Sequence, residues 1–131
     1  MKYLLDTAVL LWALGSPNKL NPRAREILSN ERDGLFLSAA SSWEISVKFG
    51  LGKLALPEPP AKYIPTWMLK WGIRALDISH LHALAVGDLP MHHQDPFDRI
   101  LIVQADIEEM VLLTADRMFE KYSVKTLWCG T

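Results

Sequence analysis

The sequence predicts an α/β protein whose parallel sheet of four to five strands is covered by helices on both faces. Short apolar runs, typical of buried strands, alternate with helical patterns along the whole chain. The chain has 131 residues, half of them hydrophobic, which is enough for the core of one ordinary domain. It contains no internal repeat, low-complexity tract or linker. We therefore expect a single domain that spans residues 1–131.

The predicted strands are four short apolar runs and one weaker candidate near the C-terminus. Each run is bounded by turn residues or by the start of a helix. The second run follows a turn expected at Asp33 and Gly34. In chain order, the predicted strands cover residues 2–5, 35–37, 74–78, 111–113 and, as the weaker candidate, 124–126.

Start and stop residues locate the helices between these strands. Asn21 is a helix cap followed by Pro22, Ser79 caps another helix, and Asp95 comes directly before a long one. We expect Pro65 to interrupt or to start the helix in which it lies. The predicted helices cover residues 8–14, 22–30, 41–49, 61–71, 80–86, 96–109 and 115–121.

Charge and cysteine content exclude several kinds of protein. The formal net charge is -1, so RNA binding would need a local patch, a bound metal or a partner rather than a broad basic surface. Cys129 is the single cysteine, which excludes an internal disulfide and Cys₂His₂ or Cys₄ zinc sites. The chain starts without the apolar core of a signal peptide and has no run long enough to span a bilayer. We expect a cytoplasmic protein with no membrane partner.

Four acids follow or flank the predicted strands. Asp6 follows the first strand, and Asp116 follows the fourth. Glu44 lies in the helix after the second strand, and Asp98 lies in the first turn of the helix that leads into the fourth. Ligands of open α/β sheets bind beyond the carboxyl ends of the strands. Carboxylates gathered there would repel one another unless a cation bound them, and Mg²⁺ or Mn²⁺ suits carboxylate oxygens.

Each acid also has a purely structural interpretation. Asp6 and Asp116 lie where they would cap or begin a helix. Glu44 completes a Ser-x-x-Glu capping box and lies four residues before Lys48, a spacing that favours an ion pair. Asp98 lies at a helix start, where the helix dipole favours an anion. These interpretations explain each acid separately, but they do not require all four to share one end of the sheet.

Other functions are less well supported by the sequence. It has no glycine-rich phosphate loop, and no serine lies in a G-x-S-x-G context. A phosphatase with an aspartyl nucleophile usually has D-x-D after the first strand, whereas the residue two positions after Asp6 is alanine. The tandem His92 and His93 would either line the site or lie in an exposed loop. A non-catalytic interaction module whose acids only cap helices is the alternative from another class.

Four short motifs follow one another along the chain and together span most of its length. They are YLLDT at residues 3–7, SSWEISVK with LGKL at 41–54, DPFDR with IVQA at 95–105, and LTAD at 113–116. Together they resemble the PIN domain family and, within it, the VapC-type ribonuclease toxins of bacterial toxin–antitoxin pairs. The resemblance implies a three-layer α/β/α sandwich and an endoribonuclease that depends on Mg²⁺ or Mn²⁺. It also implies an RNA substrate, a homodimer and a VapB-type antitoxin.

The same resemblance implies a catalytic, metal-binding quartet of Asp6, Glu44, Asp98 and Asp116. We expect Asp6 and Asp98 to be direct ligands and Asp116 to bind through water. The supporting residues we expect are Thr7, Ser42 and Thr114 for orienting carboxylates or waters, Lys48 and Arg99 for phosphate contact, and Asp95 as an extra carboxylate or only a cap.

One segment of the chain is unusually rich in large apolar residues. It carries Ile64, Trp67, Met68, Leu69 and Trp71 shortly after a proline-rich loop. So many large apolar groups in one helix of a small domain predict an exposed patch that buries against another chain.

Overall fold

The computed structural model describes residues 1–30 and 34–131. Five strands form one sheet in the order β3-β2-β1-β4-β5, and every neighbouring pair is parallel. The predicted parallel sheet is confirmed, whereas the turn predicted at Asp33 and Gly34 falls partly outside the described residues. The strands are β1 (Tyr3–Leu5), β2 (Leu35–Ser38), β3 (Arg74–Leu76), β4 (Val111–Thr114) and β5 (Thr126–Trp128).

Six α-helices connect and cover the strands in the described part of the chain. Short 3₁₀ turns at Pro17–Lys19, Val86–Asp88 and Arg117–Lys121 complete the connections. The helices are α1 (Thr7–Gly15), α2 (Pro22–Asn30), α3 (Ala39–Gly50), α4 (Pro60–Trp71), α5 (His80–Ala85) and α6 (Pro96–Ile107). None of them is both long and apolar enough to cross a membrane.

Four parts of the chain differ clearly from the sequence prediction. Helix α3 begins two residues early because Ser38, at the end of β2, caps it by accepting a hydrogen bond from the backbone N–H of Ala40 at 3.0 Å. Helix α4 runs through Pro65 without a break. Pro65 has no backbone N–H, so the helix lacks only the hydrogen bond to the carbonyl of Ala61. Ala61 is exposed, so water can bind this carbonyl instead. Residues 115–121, predicted as α-helix, form only the short 3₁₀ turn, and β5 lies two residues later than predicted.

Alternating side chains of the central strand separate two apolar cores. Tyr3 and Leu5 pack into one core with α1, α2 and α4, whereas Leu4 packs into the other with α6 and Phe119. This arrangement confirms the three-layer sandwich.

Strand order also locates the crevice of the fold. The chain moves from β1 outward to β2 and β3, and then returns across the sheet to β4 on the other side of β1. Such a reversal opens a crevice beyond the carboxyl ends of β1 and β4, where α/β proteins bind ligands. Helix α6 precedes β4 in the chain, so its first turn lies at the same edge of the sheet.

Candidate active site

The four predicted acids line one cleft at this edge of the sheet. The cleft has a volume of about 400 Å³. Its walls come from the ends of β1 and β4, from α1 and α3, and from the first turn of α6. The structure thus brings together residues separated by up to 110 positions in the chain, namely Asp6, Glu44, Asp98 and Asp116.

Asp6 is held by the neighbouring strand and not by its own helix. Its carboxylate is buried and makes no capping bond to α1, so the capping interpretation of Asp6 is wrong. Instead, Oδ2 accepts a hydrogen bond from Thr114 Oγ1 at 2.9 Å. The same Thr114 oxygen accepts the backbone N–H of Asp116 at 3.0 Å. Thr114 therefore fixes Asp6 and Asp116 relative to each other, as expected of a residue that orients carboxylates.

Glu44 lies in the second turn of α3 and is almost completely buried. Because the helix begins at Ala39, Glu44 is too far from its start to form the predicted capping box. The predicted ion pair is confirmed, with Lys48 Nζ 2.5 Å from Glu44 Oε2, and this hydrogen bond raises the pKa of Lys48. The other oxygen, Oε1, is buried and has no hydrogen-bond partner among the described residues. A buried carboxylate oxygen without a partner is costly, and a cation in the cleft would remove that cost.

Asp98 is the third residue of α6 and lies three positions after the predicted cap, Asp95. Asp95 accepts the backbone N–H of Phe97 at 2.9 Å, which confirms it as the helix cap. Burial, together with the negative charges of Asp6, Asp95 and two further acids, raises the pKa of Asp98 to about 8. Burial also raises the pKa of Asp6 to about 6, against the opposing effect of its bond from Thr114. The cleft therefore carries more negative charge than the protein itself neutralises.

His93 also belongs to this cluster. Its Nε2 lies 3.0 Å from Oδ2 of Asp98 and 2.9 Å from Oδ2 of Asp116. One donor atom from each of these three residues falls within 4.8 Å of the others, a spacing compatible with a metal ion. The sequence left His93 undecided, and the relevant signal was its position just before the cap of the helix that carries Asp98.

Two of the predicted supporting residues have different surroundings from those expected. Thr7 Oγ1 donates to Ser41 Oγ at 2.9 Å and joins α1 to α3. Ser42, also predicted to support the site, is not among the residues that line the cleft. Arg99 is buried, and its guanidinium donates to four backbone carbonyls of the segment before α6. These bonds are at odds with the predicted phosphate contact by Arg99. Lys53, which the sequence analysis did not single out, lines the cleft beside Lys48.

The apolar patch predicted on α4 is only partly exposed. Ile64 is buried in the core, so its assignment to a surface patch was wrong. Trp67, Met68 and Trp71 are half-buried against that core. Leu69 is exposed over 85% of its surface. The exposed apolar surface of α4 is therefore smaller than the sequence suggested.

The donor atoms of the cleft suit a hard divalent cation. Five carboxylates, those of the four predicted acids and of Asp95, line one volume. One of their oxygens is buried without a partner among the described residues, and burial together with the neighbouring acids raises the pKa of Asp98. Mg²⁺ and Mn²⁺ prefer such oxygen ligands. The residues present therefore fit a divalent metal ion.

Comparison with known proteins gives one family and a consistent set of folds. The model of the PIN domain family matches residues 3–125. A curated relative, Ribonuclease VapC16 of Mycobacterium tuberculosis, is 45% identical over 58 residues, which are 44% of this chain and 41% of that protein. The match thus spans less than half the length of this relative.

Two solved structures share the fold over nearly the whole chain at low sequence identity. One is VapBC2 of Rickettsia felis bound to a DNA fragment from its promoter, with a TM-score of 0.76, 15% identity, and coverage of 98% of this chain and 99% of that chain. The other is DNA-bound VapBC of Salmonella typhimurium, with a TM-score of 0.75, 16% identity, and coverage of 97% of each chain.

Proposed function

This chain belongs to the PIN domain family, and from that premise we propose that it is a divalent-metal-dependent endoribonuclease, the toxin of a VapBC-type toxin–antitoxin pair. One observation carries the proposal: four acids from four elements line the crevice between β1 and β4, and one of their oxygens is buried without a partner among the described residues. Helix capping does not require this convergence, whereas metal-assisted cleavage of a phosphodiester does.

In this proposal the four acids have different roles in holding the metal ion and the attacking water. Asp6 and Asp98 have short side chains fixed at the ends of β1 and at the start of α6, so they are the first choices for holding Mg²⁺ or Mn²⁺ directly. Glu44 directs its unpartnered Oε1 to the same ion or to the attacking water. Asp116, whose Oδ1 accepts the backbone N–H of Met118 at 2.9 Å, acts through a water. When bound, the cation supplies positive charge to the scissile phosphate and lowers the pKa of the nucleophilic water.

Two lysines supply the positive charge that the overall composition lacks. Lys48 and Lys53 line the cleft, and each extends from an exposed position at its rim. They are placed to attract an RNA phosphate toward the acids, and Lys48 also forms the ion pair with Glu44. With a net charge of -1, selectivity then depends on RNA shape and on phosphate contact with the metal rather than on a broad basic surface.

We also propose a homodimer and a VapB-type antitoxin as partners. A second cleft of about 400 Å³ lies between α1, α2 and α4 and is lined in part by Ala13, Leu20, Leu28 and Trp71. Helix α1 contributes to both clefts. An antitoxin segment that fills the apolar cleft could follow α1 and present an arginine or lysine to the acids, where it would compete with metal.

Light scattering that shows a monomer at micromolar concentration would contradict the proposed homodimer.

The decisive experiment combines cleavage mapping with a matched pair of variants. RNA is sequenced for new ends after a short pulse of expression, and purified protein is then tested on the RNA so identified, with Mn²⁺ and with chelator. Asp98→Ala should lose at least about 100-fold in rate while remaining folded. Asp106→Ala, an exposed acid on the same helix, should cleave like the wild type.

Each alternative function predicts a different result. If Asp98→Ala cleaves RNA as fast as the wild type and chelator has no effect, the nuclease proposal is wrong and a non-catalytic interaction module replaces it. Release of phosphate from phosphomonoesters, without RNA cleavage, would favour a phosphatase instead.

A further inference from the structure

We propose that His93 is a positioning residue of the acid cleft, whose Nε2–H holds Oδ2 of Asp98 and Oδ2 of Asp116 and so sets how these two acids face a bound cation. The inference rests on the proposed function, since it assigns a role within the same metal site. It gives a task to a side chain that the acidic quartet does not include.

The first observation is the position of the imidazole ring between two elements. Its Nε2 lies 3.0 Å from Asp98, at the start of α6, and 2.9 Å from Asp116, in the segment after β4. One N–H can be shared between two acceptors in a three-centre bond. The ring therefore links two carboxylates that lie 18 positions apart in the chain.

The second observation identifies which ring nitrogen carries the proton. The backbone N–H of Asp95 donates to Nδ1 of His93 at 3.3 Å. A nitrogen that accepts a hydrogen bond has a free lone pair, so the proton of the neutral ring is on Nε2. An imidazole that ligates a metal through Nε2 would need the opposite tautomer. Nε2 is therefore a donor to the carboxylates and not a ligand of the cation.

The third observation is that buried side chains hold the backbone of His93. Arg99 donates to its carbonyl at 3.2 Å, and the hydroxyl of Tyr122 accepts its N–H at 2.8 Å. Both Arg99 and Tyr122 are buried, and the ring of His93 packs on Phe119 with centroids 5.5 Å apart. The ring is thus oriented by the fold itself, before any cation binds.

These contacts predict what the loss of His93 would do. Without the shared N–H, the Oδ2 atoms of Asp98 and Asp116 lose their donor. Asp98 can then rotate away from the geometry that a cation needs, and Asp116 keeps only the bond that its Oδ1 accepts from Met118. Partners that orient metal ligands are typically worth 10- to 100-fold in metal affinity. We expect a loss of about that size.

The tautomer is tested directly by ¹⁵N NMR of the histidine rings in the full chain at pH 8, without metal and with Mg²⁺. The expected spectrum has His93 protonated on Nε2 and unprotonated on Nδ1 in both states. A proton that moves to Nδ1 when Mg²⁺ is added would show that Nε2 binds the ion and would overturn the inference.

Calorimetry with Mn²⁺ tests the consequence of the contact. His93→Ala should bind about 10- to 100-fold more weakly, and His93→Gln, which keeps a side-chain N–H donor, should recover part of the loss. The matched control is His92→Ala, because His92 is exposed and its ring lies on Tyr122 at 5.2 Å. Its affinity should equal that of the wild type. Unchanged affinity in folded His93→Ala would refute the inference.

Neither readout depends on RNA cleavage, so the two proposals fail separately. If the tautomer and the affinities are as expected but no RNA is cleaved, the nuclease proposal falls and the role of His93 in the metal site stands. If the wild type does not bind Mn²⁺ at all, both fall.

Discussion

Two histidines of this protein contact carboxylates in almost the same way, yet their surroundings differ. His82 Nε2 lies 2.9 Å from Glu108, and its Nδ1 accepts the backbone N–H of Ser79 at 3.0 Å, so that it joins α5 to α6. His93 Nε2 lies at a similar distance from two carboxylates, and further acids line the same cleft. At His82 one ring meets one acid. At His93 the acids outnumber the groups that could neutralise them.

The difference shows how to separate a structural contact from a functional one in this fold. Around His82 the polar atoms serve a helix start and a helix–helix contact, which is sufficient reason for the pair. Around His93, burial and the neighbouring acids raise the pKa of Asp98 to about 8. Negative charge that the rest of the protein does not neutralise indicates that the cleft binds a positively charged ligand.

The largest expected effect is on RNA cleavage. Asp6→Ala, Glu44→Ala and Asp116→Ala should each lower the rate by at least about 100-fold, because each removes a carboxylate from the cleft. Glu108→Ala should keep most of the activity, since Glu108 pairs with His82 away from the cleft. Rates on one RNA substrate with Mn²⁺, together with melting curves, would test this. Equal losses in all four variants would mean that the two regions do not differ in function.

A second effect concerns the stability of the metal-free protein as the pH changes. Folding raises the pKa of Asp98 from 3.8 to about 8, so the folded state keeps a proton that the unfolded chain has lost. Stability in chelator should therefore fall as the pH rises from about 4 to about 8. Asp98→Asn removes this titration and should flatten the decline between pH 6 and 8, whereas Glu108→Gln should not. Urea midpoints across this range would test it, and an unchanged slope in Asp98→Asn would contradict it.

A third effect is stabilisation by the cation. Mn²⁺ at one hundred times its dissociation constant should add about 2.7 kcal/mol to the free energy of unfolding, as for any ligand of the folded state alone. Asp6→Asn should lose most of this gain, and His82→Ala should keep it. Thermal melts with and without Mn²⁺ would distinguish them. If the stabilisation by Mn²⁺ were lost in His82→Ala but kept in Asp6→Asn, the metal would bind near His82 and not in the acid cleft.

The smallest effect is confined to the structural histidine. His82→Ala should lower the free energy of unfolding by about 1–3 kcal/mol, because it removes the hydrogen bonds that this buried ring makes with the backbone N–H of Ser79 and with Glu108. Urea unfolding of the metal-free protein is the measurement. A melting curve identical to that of the wild type would show that the network around His82 contributes little.

Much of the fold was predictable from local patterns. The central strands are short apolar runs, and α2 begins at the Pro22 that follows its cap. The start of α3 was not, because Ser38 at the end of β2 caps the helix in place of Ser41, the serine of the predicted capping box. A serine that ends a strand and begins a helix leaves no loop to mark the boundary.

The acids of the site could be predicted from their places at strand and helix ends, but the histidine could not. The position of His93 depends on Tyr122, 29 residues further along the chain, and on the buried guanidinium of Arg99. The sequence predicted a phosphate contact for Arg99, since nothing near it in the chain indicates that its guanidinium binds four carbonyls. Such contacts arise only when the loop, α6 and the last turn pack together.

The strand order has a consequence for when the cleft is completed during synthesis. Asp6 is made 108 residues before its partner Thr114, which belongs to β4, the strand that pairs with β1. A nascent chain that has folded its first strands still lacks one wall of the crevice and the last acid. Under the proposed function, a ribosome making this protein therefore stays next to an incomplete nuclease until β4 has emerged and inserted beside β1, and the proposed antitoxin has that interval in which to arrive.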